Sequence, residues 1–469
     1  MDRDAEQLRK LGYAQELLRD MGGFANFALS FSIISVLTGG VTLYKHGLEY
    51  GGPLQMLVGW PLVTLLTLPI AASLAELASA YPTAGALYHW SAILGGRGAG
   101  FLTAWLNTIG QFAITAGIDY GLSEFLAAML GWDELFPESD FRRRLPTLGL
   151  CFLVLLSHAV LNHLGVRLVA KLNDLSAWVH IAGVTVLVLA LSFFAPHQPA
   201  AFLLQRHGST GGFFIGFLLA AWTFTGYDAS AHVSEETKDP SRNAPWGMIL
   251  AVAVSGVAGY ALLLAVTLSI GSLDATLAAS NPFIFVLRSA LGPVMGNLLV
   301  AVAMAAMWFC GLSSVTSNSR MLFAFARDGG LPLSKRLARV SPRYKSPATA
   351  VWVSAGMALV VALWSEAYSS MVALSTLALY ASYGVPIVCG FRKRAQRRRG
   401  PWTLGRAGAF VNLLAIVWIG VCFVLFVLPP DERAGYAFAG CLAALAVYWF
   451  GYMRTRFKGP PVSIDHFRA

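Results

Sequence analysis

Residues 222–245 read WTFTGYDASAHVSEETKDPSRNAP, and these residue types suit the binding of a small molecule inside a membrane. An apolar stretch runs into Thr225, Gly226, Tyr227 and Asp228, resumes as small residues, and ends in Glu235 and Glu236 before a proline-bounded loop. A glycine and an aspartate in mid-span open the backbone ladder, which hydrocarbon tolerates only where the opening lines a cavity. A carboxylate near the bilayer centre costs about 2.5–3.5 kcal/mol, so Asp228 must face protein or water. There it can cap a half-helix, gate the cavity or take a proton. Glu235 and Glu236, at the exit, suit gate or loop ion pairs better than ligand contact. Trp222 and Phe224 could close over a ligand or stack on a cationic group. In a chain with 13 Trp and 29 Phe they serve packing equally well.

Other spans carry further polar groups. Residues 31–41, FSIISVLTGGV, place Ser35, Thr38 and Gly39 in mid-membrane, which suits either a second helix break or close helix packing. Gln111, Thr115 and Asp119, at spacing four, share one helix face. That face lines a pathway or makes interhelical hydrogen bonds. Tyr380 and Tyr383 are candidates for an outer gate, or for packing.

The elements that must hold these residues follow from composition. The 469-residue chain is 56% hydrophobic and 12% charged, with a mean hydropathy of +0.61. Soluble domains carry about 25% charged residues, and each helical crossing needs about 20 apolar ones. The chain therefore reads as an all-α polytopic membrane protein. Its twelve expected spans fall near 23–43, 53–79, 97–130, 146–162, 174–195, 211–232, 246–270, 293–324, 348–365, 370–391, 408–428 and 434–453. The two interrupted spans stand five apart, the signal of a 5+5 inverted repeat, about 23–195 and 211–391, followed by two extra helices. The remaining divisions are an N-terminal segment 1–22, a basic loop 392–407, the extra pair 408–453 and a tail 454–469.

A net charge of +10 could suggest nucleic acid, but its distribution argues against that partner. Alternate loops hold all of the Lys and Arg except Lys45, Arg142, Arg143, Arg144, Arg206, Arg288 and Arg433. This is the positive-inside pattern with both termini in the cytoplasm of a plasma or inner membrane. The basic run 391–399 reads as a topology anchor or a lipid-binding patch. Leu8, Leu11, Leu17, Leu18 and Met21 could form one face of an interfacial helix, and the first 22 residues lack a signal-peptide apolar region. The connection 269–293 suits an outer lid or a structured surface loop. Five cysteines without CxxC spacing support neither a disulfide framework nor zinc. No cofactor or metal is expected. His158 and His163 are poorly spaced for one metal, and neither HExxH nor a serine nucleophile motif is present, so an intramembrane enzyme is disfavoured. A channel would show a repeated pore motif or a charged ring.

Four stretches resemble the amino acid–polyamine–organocation transporter superfamily, and within it the amino acid/choline transporter family. They are residues 11–40 (LGYAQELLRDMGGFANFALSFSIISVLTGG), 75–92 (AELASAYPTAGALYHWSA), 224–245 and 317–332 (SNSRMLFAFARDGGLP). The resemblance implies a LeuT-type fold and alternating-access transport of an amino acid or related amine such as 4-aminobutyrate, with choline or a polyamine as the alternative. It places the substrate at Ser35, Val36, Leu37, Thr38 and Gly39 in the first break, and at Phe224, Thr225 and Gly226, flanked by Trp222 and Tyr227, in the sixth helix. Many relatives have Gly-x-Gly where this chain has Ser35 and Leu37. Half-helix N-termini would meet a carboxylate and unwound carbonyls an ammonium. Some superfamily members carry a lysine where this chain has His180, at the place of a sodium ion in sodium-coupled relatives. Histidine titrates near pH 6.5, so His180 is the expected proton-coupling group, with Asp228 and Asp119 as further candidates. Sodium, through Ser313, Ser314 and Ser317, is the less favoured ion.

Overall fold

The computed structural model describes residues 3–132, 144–364, 368–429 and 431–464. Arg142 and Arg143 of the charge pattern, and the last residue of the expected span 348–365, lie outside them. The described residues form an all-helical bundle, in which a single isolated bridge, Met21 to Thr237, is the only β pairing.

In chain order, a short helix α1 (Arg3–Lys10) precedes the first interrupted span, α2 (Gly23–Ile33), α3 (Gly39–Thr42) and α4 (Tyr44–Gly51). Then come α5 (Trp60–Ala80), α6 (Leu87–Gly95), α7 (Arg97–Met129), α8 (Arg144–His163) and α9 (Val166–Phe194). The second interrupted span is α10 (Thr210–Ile215), α11 (Leu218–Thr223) and α12 (Ala229–His232). It is followed by α13 (Pro240–Leu268), α14 (Leu273–Ala278), α15 (Pro282–Arg327), α16 (Ser334–Leu337), α17 (Ala348–Trp364), α18 (Tyr368–Arg392), α19 (Gly408–Val427) and α20 (Glu432–Tyr448). Eight described helices are long and apolar enough to cross a membrane. The other four expected spans fall on the shorter α2, α10–α11 and α17, and on the more polar α7.

Packing follows from where small residues allow close approach. The main partner of α7 is α18, α5 lies on α13, and α2 sits between α13 and α9. Gly256 and Gly259 of α13 take Thr64 and the Trp60 ring, and the indole N–H donates to the Gly256 carbonyl at 2.8 Å. Gly110 lets α7 approach the Leu379 backbone of α18.

One expectation gains detail and one changes. The connection 269–293 is mostly helical: α14 and the first part of α15, which breaks at Gly292 (φ 79°) before Pro293. The N-terminal segment is not one interfacial helix. After α1 it runs as non-helical chain across one end of the bundle, and Leu8 of α1 with Leu11, Leu17 and Met21 is buried against protein. Asp20 and Met21 N–H both donate to the Glu236 carbonyl (3.0 and 2.9 Å), and Gln15 reaches the Glu235 carbonyl at 2.8 Å. Leu17 shares a core cluster with Met453 and Phe457, so both terminal segments lie at this end, here called basal.

Candidate functional site

The two helix breaks touch each other. A β-carbon on Gly39 would sit 2.3 Å from the Thr223 hydroxyl oxygen and 2.9 Å from the Thr223 Cα. A β-carbon on Gly226 (φ +92°) would sit 2.3 Å from Ile33 Cγ2. Glycine is thus needed at 226 for both conformation and space. Gly226→Ala is expected to cost about 1–2 kcal/mol for the left-handed backbone and about 1–3 kcal/mol for overpacking. Thermal unfolding of the purified variant measures this, and a wild-type midpoint would show that the break relaxes.

Side chains take up the carbonyls that the breaks release, as an apolar medium requires. Thr38 and Gly39 N–H both return to the Ser35 carbonyl. The Ile33 carbonyl accepts from the Cys310 thiol (3.4 Å) and the Ile34 carbonyl from Ser255 (3.2 Å). In the second break Tyr380 donates to the Ala221 carbonyl (3.2 Å) and Ser30 to that of Tyr227 (2.8 Å). The Gly226 N–H donates to the Tyr383 oxygen at 3.1 Å.

Between the breaks lies a cavity of about 10 Å³, room for about one water. Ser35, Thr38 and Gly39 form one wall and Trp222 and Thr223 another; Ile114, Ile118 and Cys310 complete most of the rest. None of its described lining residues is charged. A larger opening of about 390 Å³ lies at the end opposite the termini, bordered by Thr42, Lys45, Glu49, Glu124, Asn281 and Tyr368. Trp222, on the cavity wall, meets Tyr368, on the vestibule wall, edge-on at 6.3 Å. Its indole N–H donates to Ser375 Oγ at 2.9 Å.

His180 of α9 is hydrogen-bonded into the cavity wall. Nδ1 lies 2.8 Å from the Ser176 carbonyl and Nε2 lies 2.8 Å from Ser35 Oγ. A carbonyl can only accept, so Nδ1 carries the hydrogen and Nε2 of the neutral ring accepts from Ser35. Thr38 in turn donates to Ser35 at 2.8 Å. A hydroxyl chain thus joins the cavity to an imidazole.

The other expected residues lie around this centre rather than on it. Val36 packs toward Gly259 and Leu37 toward Gly183. Phe224 lies 4.9 Å from the Trp60 ring, Tyr227 lies 5.1 Å from Tyr383, and Thr225 donates to the Trp222 carbonyl. Gln111, Thr115 and Asp119 turn toward α15 and α8, pairing with Ser317 (3.3 Å), Ser314 (2.7 Å) and His158 (3.3 Å). Ser313 donates to Asn173 at 2.9 Å. Tyr380 and Tyr383 brace the second break, and Tyr368 occupies the vestibule level instead.

Asp228 is buried and does not line the cavity. Its carboxylate accepts from Tyr383 at 2.9 Å and Asn107 at 3.1 Å, and lies 3.2 Å from His232 Nε2. Because His232 Nδ1 faces the Ala84 carbonyl at 3.0 Å, the contact to Asp228 requires a further proton on one partner. Sequence reasoning missed His232 and weighed His158 only as a metal ligand. A titratable residue inside an apolar span was the available signal for His158.

Glu235 and Glu236 are both ion-paired at the basal end. Arg320, fully buried, holds Glu236 at 2.7 and 3.3 Å; Arg327 holds Glu235 at 2.8 and 3.0 Å. Burial alone would raise the Glu235 carboxyl, but the Arg327 guanidinium and the Ala84 N–H hold it below its ordinary range. Arg327 also lies 3.9 Å over the Tyr13 ring of the N-terminal strap. Asp328 accepts from Tyr13 and Tyr88, both at 2.7 Å, and meets His89 at 3.2 Å. These contacts outweigh burial and lower its carboxyl too.

The amino acid permease family profile matches residues 22–450. The chain is 35% identical to the amino-acid permease BAT1 homolog of Oryza sativa subsp. japonica, over 98% of this chain and 96% of that protein. It is equally similar to amino-acid permease BAT1 of Arabidopsis thaliana, with the same coverage. A GABA-specific permease of Saccharomyces cerevisiae is 26% identical over 98% of this chain and 86% of its own length. These relatives are transporters, not enzymes. With two interrupted helices meeting at an uncharged cavity in an apolar bundle, the chain belongs to the amino acid permease family of the amino acid–polyamine–organocation superfamily, as an integral membrane transporter.

Proposed function

We propose that this permease carries a small amino acid or related amine such as 4-aminobutyrate across the cell membrane by alternating access, coupled to protons. Its termini and basal end face the cytoplasm, and its open vestibule faces outward. The observation that carries this reading is the hydroxyl-lined cavity between the two breaks, linked through Ser35 to His180. A carboxylate would meet the Ser35 and Thr38 hydroxyls on the cavity wall and an ammonium the carbonyls of the broken span. A zwitterion needs no countercharge on the wall, and the described lining offers none. A polyamine would need carboxylates there, and Asp119 and Asp228 are both engaged elsewhere; choline would need an aromatic cage, and Trp222 is the one aromatic among the described lining residues. Ser313, Ser314 and Ser317, the candidate sodium ligands, are each hydrogen-bonded to protein. To admit substrate, the cavity must widen by movement of Trp222 away from Tyr368.

Counterflow in vesicles reconstituted with the purified chain tests this. Unlabelled neutral amino acids or 4-aminobutyrate inside should accelerate uptake of the labelled compound, and an acid exterior should drive its accumulation. Spermidine or choline giving the stronger acceleration would overturn the substrate class.

A further inference from the structure

The loop between α18 and α19 folds back onto the basal end of α5 and borders a half-open cavity of about 390 Å³. Leu404 N–H donates to Glu76 Oε1 at 3.1 Å, Trp402 N–H to Ser79 at 2.9 Å and Arg398 N–H to Tyr81 at 3.0 Å. The wall gathers Arg394, Arg397, Arg398, Arg399 and Arg406 around one carboxylate, Glu76. Arg394 (3.4 Å) and Arg397 already share that carboxylate, and Arg394 also donates to Asn412 at 3.0 Å. Among the described residues, Arg398, Arg399 and Arg406 have no acidic partner. A topology anchor needs only solvated charge on a loop. Here the loop is tied to the end of α5 by backbone hydrogen bonds, and its guanidinium groups border one half-open space.

The depth of this cavity is marked by Trp402, whose ring meets the half-exposed Trp246 of α13 at 6.3 Å. Amphipathic indoles collect at the headgroup level of a bilayer. Guanidinium forks match the geometry of phosphate oxygens, and basic pockets beside membrane helices take anionic headgroups. We propose that this cavity binds a phosphate group, supplied by the headgroup of an anionic phospholipid.

Thermal unfolding of the full chain in detergent, titrated with phosphatidylglycerol, phosphatidylcholine or inorganic phosphate, tests the proposal. Phosphatidylglycerol should raise the midpoint and phosphatidylcholine should not. At about 5-fold per arginine, R398Q/R399Q/R406Q should weaken the apparent affinity on the order of 100-fold. The variant should keep its counterflow activity in phosphatidylcholine vesicles. If the triple variant fails to fold, R406Q alone should show about a 5-fold loss. Equal stabilisation by phosphatidylcholine, or an unchanged phosphatidylglycerol effect in the variants, overturns the site. Inorganic phosphate matching the lipid's effect overturns the lipid as its source.

Discussion

Arg320→Ala is expected to destabilise the protein by about 3–5 kcal/mol, because it leaves a buried carboxylate without its cation. Both side chains are almost fully inaccessible, and the guanidinium holds both oxygens of Glu236. The strap adds to the cost, since the Glu236 carbonyl also receives Asp20 and Met21 N–H. Losing the pair therefore loosens the N-terminal segment along with α15. Replacing both partners by neutral groups, as in R320M/E236Q, removes the unpaired charge, so much of the stability should return. Transport should not return with it, because the basal closure would lack its ion pair. Thermal unfolding and counterflow on the single and double variants give both readings. An R320A chain melting like wild type would mean that Glu236 finds water or another donor, and that the pair is not the closure.

This closure also shows how far the sequence reaches. That Glu235 and Glu236 would form ion pairs follows from two acids at the end of an apolar span. Which arginine meets which glutamate depends on the crossing of α15 over the second break, and no local pattern encodes that. The breaks were legible for a local reason: glycine and aspartate two residues apart, at 226 and 228, weaken a helix in mid-span. Of the cavity wall, Ser35, Thr38, Gly39 and Trp222 stand out in the sequence, and the α7 face does not. Gln111, Thr115 and Asp119 share a face of α7, but bundle packing turns that face toward α15 and α8. Ile114 and Ile118, which read as ordinary apolar residues, line the cavity instead. Leu17 and Met21 fit an amphipathic helix by spacing, yet the chain beyond α1 forms no helix there, and Asp20 and Met21 bond to the Glu236 carbonyl instead.

His180→Gln is expected to abolish accumulation driven by a proton gradient while leaving exchange of substrate intact. In the neutral ring Nε2 accepts from Ser35, whose own oxygen receives the Thr38 hydroxyl. A proton arriving at Nε2 makes that nitrogen a donor, so the Ser35 hydrogen must leave it and turn elsewhere. The open direction is the cavity, where Ser35 and Thr38 both lie on the wall. Protonation would thus add both a positive charge and a free O–H donor beside the place a carboxylate would occupy. Coupling of this kind is typically worth about 1–3 kcal/mol, or 5–150-fold in affinity. By reciprocity, bound substrate must hold the proton more tightly by the same factor. Glutamine can still donate to the Ser176 carbonyl and accept from Ser35, so the variant should fold. Its substrate affinity should no longer rise as the pH falls. Ser35→Ala should uncouple in the same way with the imidazole retained, which separates the relay from a merely structural histidine. Accumulation that survives in H180Q would move the coupling proton to Asp228 and His232, whose contact already requires one.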